Sequence, residues 1–292
     1  MNFTTLIDVQ TLATHLGSTD WVVLDCRFEL GKPDVGATQY RQGHIAGAQY
    51  AHLDQQLAAP PGAATGRHPL PDPEAFAALA GAWGIDGGTQ VVVYDQGGSY
   101  YAARAWWIFH WLGHSRTAVL DGGLAAWCAA GHALETTVTP PQPRAFTARP
   151  RDDFWVDAAA VLQASSRRVA APEGAAADRP CIVDARGADR FSGENAAMDP
   201  IAGHVPGAVN HPCSRNYGSD GRMHDRAALR AQWLDTLGGA APQAMIAMCG
   251  SGVSACVNLL AMTHAGLDGA RLYPGSWSEW IRDPSRPVAR GL

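Results

Sequence analysis

The residues best placed to do chemistry stand together at Cys249-Gly250-Ser251-Gly252-Val253-Ser254-Ala255. They follow an apolar run, Ala244-Met245-Ile246-Ala247-Met248, and open a segment of helical period from Ser254 to His264. A cysteine at such a strand-to-helix turn is set up as a nucleophile. Two glycines allow tight curvature and positive φ, and successive amide N–H groups can converge on one point as an anion-binding nest. The helix N-terminus adds partial positive charge at the same spot. All three favour the thiolate, which is the attacking form. A small buried hydrophobe is the commoner fate of a free cysteine. That plainer reading fits Cys26, Cys128, Cys181 and Cys213, which have no such loop, and Cys256, which packs at the start of the following helix.

A cysteine phosphatase uses a similar turn but closes it with an arginine six positions after the cysteine. Here that position is Ala255 and the loop holds no Arg or Lys, which argues against phosphoester hydrolysis. The eleven histidines are scattered without a ligand cluster, so no metal site is expected.

The elements that must position this loop occur twice. Trp21-Val22-Val23-Leu24-Asp25 is matched by Cys181-Ile182-Val183-Asp184, and Gly43-His44-Ile45-Ala46-Gly47-Ala48 by Gly203-His204-Val205-Pro206-Gly207-Ala208. His44 follows Asp25 by 19 residues and His204 follows Asp184 by 20. A second apolar run, Gln90 to Asp95, is matched by Ala244 to Cys249. Each half closes on glycine and tryptophan, in Asp121-Gly122-Gly123-Leu124-Ala125-Ala126-Trp127 and in Gly275-Ser276-Trp277-Ser278-Glu279-Trp280. Four landmarks in the same order mark an internal duplication.

Short apolar runs alternate with helical segments at Asp72–Trp83, Ala102–Trp111 and Ser254–His264. That alternation predicts an α/β fold, with a mostly parallel sheet flanked by helices in each half. Ligands of such sheets sit beyond the carboxyl ends of strands, where Asp25, Asp95, Asp184 and Cys249 fall. Trp106, Trp107 and Trp111 are spaced as one buried helix face. The proline-rich stretch through residues 138–150 reads as a linker. The polar, alanine-rich stretch from Ser165 to Asp178 reads as a surface loop.

Composition agrees with two globular domains. The chain has 292 residues, of which 47% are hydrophobic and 17% charged. Its 22 Lys+Arg against 27 Asp+Glu leave a net charge of −5, without the basic excess of a nucleic-acid binder. No apolar run approaches the roughly 20 residues of a membrane span, and Met1-Asn2-Phe3-Thr4 opens no secretory signal. Six cysteines without a CxxC pair suit a reduced, cytoplasmic setting.

The doubled unit, the paired Gly-His-x-x-Gly-Ala motifs, the CGSGVSA loop and the terminal GSWSEW resemble the two-domain sulfurtransferases of the rhodanese and 3-mercaptopyruvate sulfurtransferase superfamily. The resemblance spans nearly the whole chain. It implies tandem rhodanese-like domains at 1–137 and 151–292 about the linker, with only the second catalytic. Asp95 stands where the first domain would need its cysteine. The implied reaction is ping-pong and needs no metal or organic cofactor. Cys249 takes sulfur from a small anionic donor as a persulfide, then passes it to a thiol acceptor such as thioredoxin, or to cyanide.

Gly250-Ser251 after the cysteine, in place of an Arg-Lys pair, is similar to the mercaptopyruvate enzymes. Thiosulfate is the alternative donor, and a non-catalytic sulfur carrier or regulatory module is the alternative of another class. The resemblance implies a proton relay from Ser251 to a histidine and an aspartate, matched to His44 and Asp34. The repeated histidine equally suggests a fold-holding hydrogen bond. Arg190 is matched to a carboxylate-binding arginine, with Gly250, Gly252, Val253 and Ser254 lining the sulfur. The second such arginine is missing from its place at Ala197, and none lies between Arg190 and His204. Arg186 and Arg27, each two residues after a strand-end aspartate, read as structural ion pairs.

Overall fold

The computed structural model describes residues 2–170 and 180–291. It divides into two compact units. One comprises Met1–Pro60, Leu70–Arg151 and Tyr217–Met223, and the other Pro61–Pro69, Asp152–Asn216 and His224–Leu292.

The first unit is built on five parallel strands, β1 (Leu6–Ile7), β2 (Trp21–Asp25), β3 (Gln49–Tyr50), β4 (Gln90–Tyr94) and β5 (Thr117–Leu120), in the order β1-β5-β4-β2-β3. The second has four, β6 (Cys181–Asp184), β7 (Val209–Asn210), β8 (Met245–Met248) and β9 (Arg271–Leu272), in the order β7-β6-β8-β9, also parallel. The second order reproduces the four strands after β1. The counterpart of β1 is reduced to a single parallel bridge, Trp155 to Leu272. Every residue of β4, β5, β6 and β8 is buried. Sheets covered by helices on both faces require such unbroken apolar strands, because neither face meets water.

The expected helices form at Pro73–Ala82, Tyr100–Trp111 and Ala255–His264. The first starts cleanly because Asp72 caps the amides of Glu74 and Ala75, with proline at the opening position. Trp106, Trp107 and Trp111 are buried in the first unit. The stretch read as a loop from Ser165 is helical up to Ala170, as the end of a helix Ala158–Ala170, and its remainder lies outside the described residues. Ala158, Val161, Ala164 and Ser165 recur three and four apart on its buried face. Gln163, Ser166 and Arg167 lie on the exposed side.

Register aligns the chemistry. Asp25 pairs with Tyr94 and Asp184 with Met248, so Asp95 and Cys249 both emerge one residue past the end of the central strand beside a buried aspartate. Each aspartate is clamped by the arginine two residues on. Arg27 Nε and Nη2 reach both oxygens of Asp25 at 2.6–3.0 Å, and Nη2 also donates to Gly43 O at 2.7 Å. Arg186 repeats this on Asp184 at 2.7–3.1 Å and on Gly203 O at 2.8 Å. The ion pairs are those the sequence led us to expect, and they also tie the strand end to the glycine of the GHxxGA motif.

A buried polar network holds the second unit behind the loop. His211 stacks on Trp233 and its Nδ1 lies 2.8 Å from Thr236 Oγ1, while Asn258 donates to His211 O at 3.0 Å. Burial, helped by Arg215, lowers His211 to about 4. The folded value therefore lies below the unfolded one near 6.5. The neutral imidazole contributes stability above pH 6.5 that is lost as pH falls towards 4, up to about 3 kcal/mol. Unfolding free energies at pH 7 and pH 4.5 should fall less for His211→Gln than for the wild type. Equal falls would remove His211 from the acid response.

Candidate active site

The loop Cys249–Ser254 joins β8 to the helix Ala255–His264 within the second unit. Its curvature depends on Gly252, at φ +73°, where a Cβ would meet Pro274 O at 2.3 Å. The terminal motif anchors the loop from beneath. Ser276 Oγ accepts from Cys249 N at 3.0 Å, Trp277 N donates to Cys249 O at 3.0 Å, and Ser278 N donates to Gly250 O at 2.9 Å. Ser276 does this from a left-handed backbone, φ 51°, which a non-glycine residue adopts only when its surroundings compel it. Trp277 also lies under the Arg186 guanidinium, 4.9 Å from its ring centre, and bonds Ile201 O at 3.0 Å. The GSWSEW motif thus fixes the loop through its backbone.

The amides of Gly250, Ser251, Val253 and Ser254 donate to no acceptor among the described residues. The corresponding loop of the first unit holds an acceptor of its own. There the Asp95 carboxylate accepts from Gly97 N, Tyr101 N and Ala102 N at 2.9–3.2 Å. Burial pushes Asp95 up to about 6 against those same amides. The first loop is filled by its own carboxylate, whereas the second presents a cysteine, only 2% exposed, and open N–H groups.

The segment Pro61–Pro69 supplies two side chains to this unit that sequence reasoning missed. Ser251 Oγ and His68 Nδ1 are 2.8 Å apart, both buried. Arg67 is held by its amide, which donates to Ser278 Oγ at 3.0 Å, and its Nη1 donates to Asp199 Oδ1 at 2.6 Å. Arg190, in the short helix Ala188–Ser192, donates to Asp199 Oδ2 at 2.5 Å. Its backbone is steadied by the neighbouring Phe191 ring, stacked 3.8 Å from His204. Burial alone would raise Asp199, but the Arg190 and Arg67 guanidinium groups outweigh it and hold the carboxyl below its ordinary value.

The structure thus brings together Cys249, Gly250, Ser251, Gly252, Val253, Ser254 and Arg190, and gives Ser251 a histidine other than the one expected. His44 belongs to the first unit, where its Nδ1 lies 2.8 Å from Tyr40 O and its ring stacks on Tyr40. His204 does the same on Phe191 O at 2.9 Å. Both histidines also form reciprocal backbone bridges, His44 with Glu135 and His204 with Ala289. The repeated histidine is a fold-holding one. Asp34 is exposed at the first position of a helix, Asp34–Gln42, in the first unit. Gly66-Arg67-His68-Pro69, a basic pair inside a glycine- and proline-rich loop, was the available signal for the missed residues.

The other thiols are unremarkable: Cys26 and Cys181 are pushed up by burial and Cys128 is exposed. Among the described residues no three His, Cys, Asp or Glu side chains gather to hold a metal, and no helix is long and apolar enough to cross a membrane.

A family model described as a rhodanese-like domain matches residues 8–130 and again 169–283. A Pseudomonas aeruginosa protein named "Probable 3-mercaptopyruvate sulfurtransferase" is 46% identical over 293 residues, covering all of both chains. The thiosulfate sulfurtransferase of Rattus norvegicus is 31% identical over 87% of this chain and 83% of its own. The crystal structure of the 3-mercaptopyruvate enzyme SseA from Escherichia coli superposes with a TM-score of 0.79 at 30% identity, over 94% of this chain and 100% of that one.

Proposed function

The chain belongs to the rhodanese-like family, and from that premise we propose that it is a sulfurtransferase carrying sulfur on Cys249, with 3-mercaptopyruvate as donor. In the first half-reaction the Cys249 thiolate attacks the thiol sulfur of the donor. The new S–S bond forms as the C–S bond breaks, and the electron pair leaves on carbon as the enolate of pyruvate, which takes up a proton. In the second, an acceptor thiolate attacks the outer sulfur of the Cys249 persulfide, forming the acceptor's persulfide and returning the Cys249 thiolate. Cyanide in that role leaves as thiocyanate, with release of the proton. The open amides of Gly250, Ser251, Val253 and Ser254 stabilise the thiolate before attack and the persulfide sulfur after it.

One observation carries the choice of donor: the Ser251 hydroxyl, backed by His68 at 2.8 Å. Breaking the C–S bond of mercaptopyruvate makes a carbanion that must be protonated, and a positioned hydroxyl–imidazole pair supplies that proton. Thiosulfate releases sulfite, which leaves as an anion and needs none. A thiol such as thioredoxin is the proposed acceptor, in a reducing cytoplasm that suits six free cysteines. The domain at 151–292 supplies the nucleophile and the segment Pro61–Pro69 of the same compact unit supplies His68, whereas the loop with Asp95 in the domain at 1–137 carries no sulfur.

The test is steady-state sulfur transfer to cyanide from each donor in turn. Ser251→Ala should lower kcat with mercaptopyruvate by ~10²-fold or more, while changing turnover with thiosulfate little. Equal losses with both donors would assign Ser251 a structural role. No transfer from either donor by the wild type would leave the carrier reading in its place.

A further inference from the structure

Two arginines and one carboxylate crowd one side of the loop. A Cβ on Gly250 would lie 2.8 Å from Arg67 Nη2 and 3.0 Å from Arg190 Nη2, so both guanidinium groups stand against the residue after the nucleophile. Asp199, 7% exposed, binds both, one oxygen to each. Arg186 Nη1 is 3.9 Å from the same carboxylate, but its charge is already matched by Asp184. Nε of Arg67 and Nε of Arg190 are buried and have no hydrogen-bond partner among the described residues. Buried guanidinium N–H groups without acceptors mark a place where an anion is to be received.

Resting on the sulfurtransferase reading, with the donor's carboxylate received between Arg67 and Arg190, we propose that Asp199 sets the charge the pocket accepts. Two guanidinium groups less one carboxylate leave one net positive charge. A donor bearing a single carboxylate neutralises it. A dianion such as thiosulfate leaves an excess negative charge beside a thiolate that must attack it, and the repulsion falls on the reacting sulfur. The arginine absent near Ala197 is thereby replaced from a distant stretch of chain, and the carboxylate that orients the pair also discriminates between donors. Asp199 is a positioning and charge-setting residue, and it does not touch the reacting atoms.

The experiment compares kcat/KM for mercaptopyruvate and thiosulfate in the wild type, Asp199→Asn, Asp199→Glu and Arg67→Gln, with inhibition by sulfate and by pyruvate as binding readouts. Asp199→Asn should raise the thiosulfate-to-mercaptopyruvate ratio about tenfold and tighten sulfate inhibition more than pyruvate inhibition. Asp199→Glu, which restores the charge, should return the ratio towards the wild-type value. Arg67→Gln, at a partly exposed side chain, should shift the ratio the opposite way, and it carries the test if Asp199→Asn does not fold. An unchanged ratio in an active Asp199→Asn, or equal weakening of both inhibitors, would overturn the charge assignment alone. A wild type inactive with both donors would overturn the underlying reading instead.

Discussion

Cys249→Ser is expected to abolish sulfur transfer, lowering turnover with either donor by ~10⁴-fold or more, while leaving the fold intact. A serine hydroxyl is scarcely ionised at neutral pH, and the oxygen analogue of a persulfide would be a far poorer sulfur carrier. The substitution disturbs nothing that holds the loop. Cys249 is anchored through its backbone, to Ser276 Oγ and to Trp277 N. Binding of a non-reacting anion such as pyruvate should therefore persist, because Arg67 and Arg190 do not depend on the thiol. Substantial residual turnover would point to Cys256, at the start of the helix after this turn, whose Sγ lies 3.4 Å from Gly252 O. Loss of anion binding together with turnover would show that the cysteine supports the pocket as well as the chemistry.

The largest effect on stability is expected from Asp184→Ala. Asp184 is fully buried and Arg186 is 3% exposed, so removing the carboxylate leaves a guanidinium that keeps, among the described residues, Gly203 O, the face of Trp277 and a distant Asp199. Breaking a buried ion pair from one side typically costs about 3–5 kcal/mol. For a unit of this size that corresponds to a fall in Tm of roughly 10 °C. The double variant Asp184→Ala with Arg186→Met should lose less than the sum of the two single losses, since the stranded charge is then gone. Thermal unfolding of all three variants decides the matter. Additive losses would mean that the two side chains act independently. Asp25→Ala should behave alike in the first unit, where Asp25 also accepts from Tyr94 Oη at 2.7 Å.

The duplication made most of the architecture legible. Apolar runs ending in Asp25, Asp95, Asp184 and Cys249 marked the central strands of both sheets, because a parallel sheet buried on both faces leaves its strands no polar alternation. The candidate nucleophile Cys249 was equally legible, since Gly250 and Gly252 follow it in a turn that few other residues could make. The relay was not. His68 and Ser251 are 183 residues apart and meet only through tertiary folding. The matching motif histidine, His44, drew attention because the family resemblance placed a histidine in the first half. Its duplicate, His204, already carried the correct warning, as both close the same kind of backbone bridge. Arg67 was hidden for a related reason. The family resemblance places the second arginine between Arg190 and His204, whereas this guanidinium arrives from residues before the second unit's main stretch. The helix through Ala170 was missed because its buried face, Ala158, Val161, Ala164 and Ser165, is made of small residues, while Ser166, Arg167 and Arg168 give the part from Ser165 a polar look.

The central claim is that the sulfur in transit resides on Cys249. It is tested most directly by exposing the protein to mercaptopyruvate without acceptor and measuring the intact and peptide masses. The expected result is the gain of one sulfur atom on the peptide containing Cys249, lost again when cyanide is added, with Cys26, Cys128, Cys181, Cys213 and Cys256 unchanged. A protein that gains no sulfur, or carries it on another cysteine, would contradict the claim.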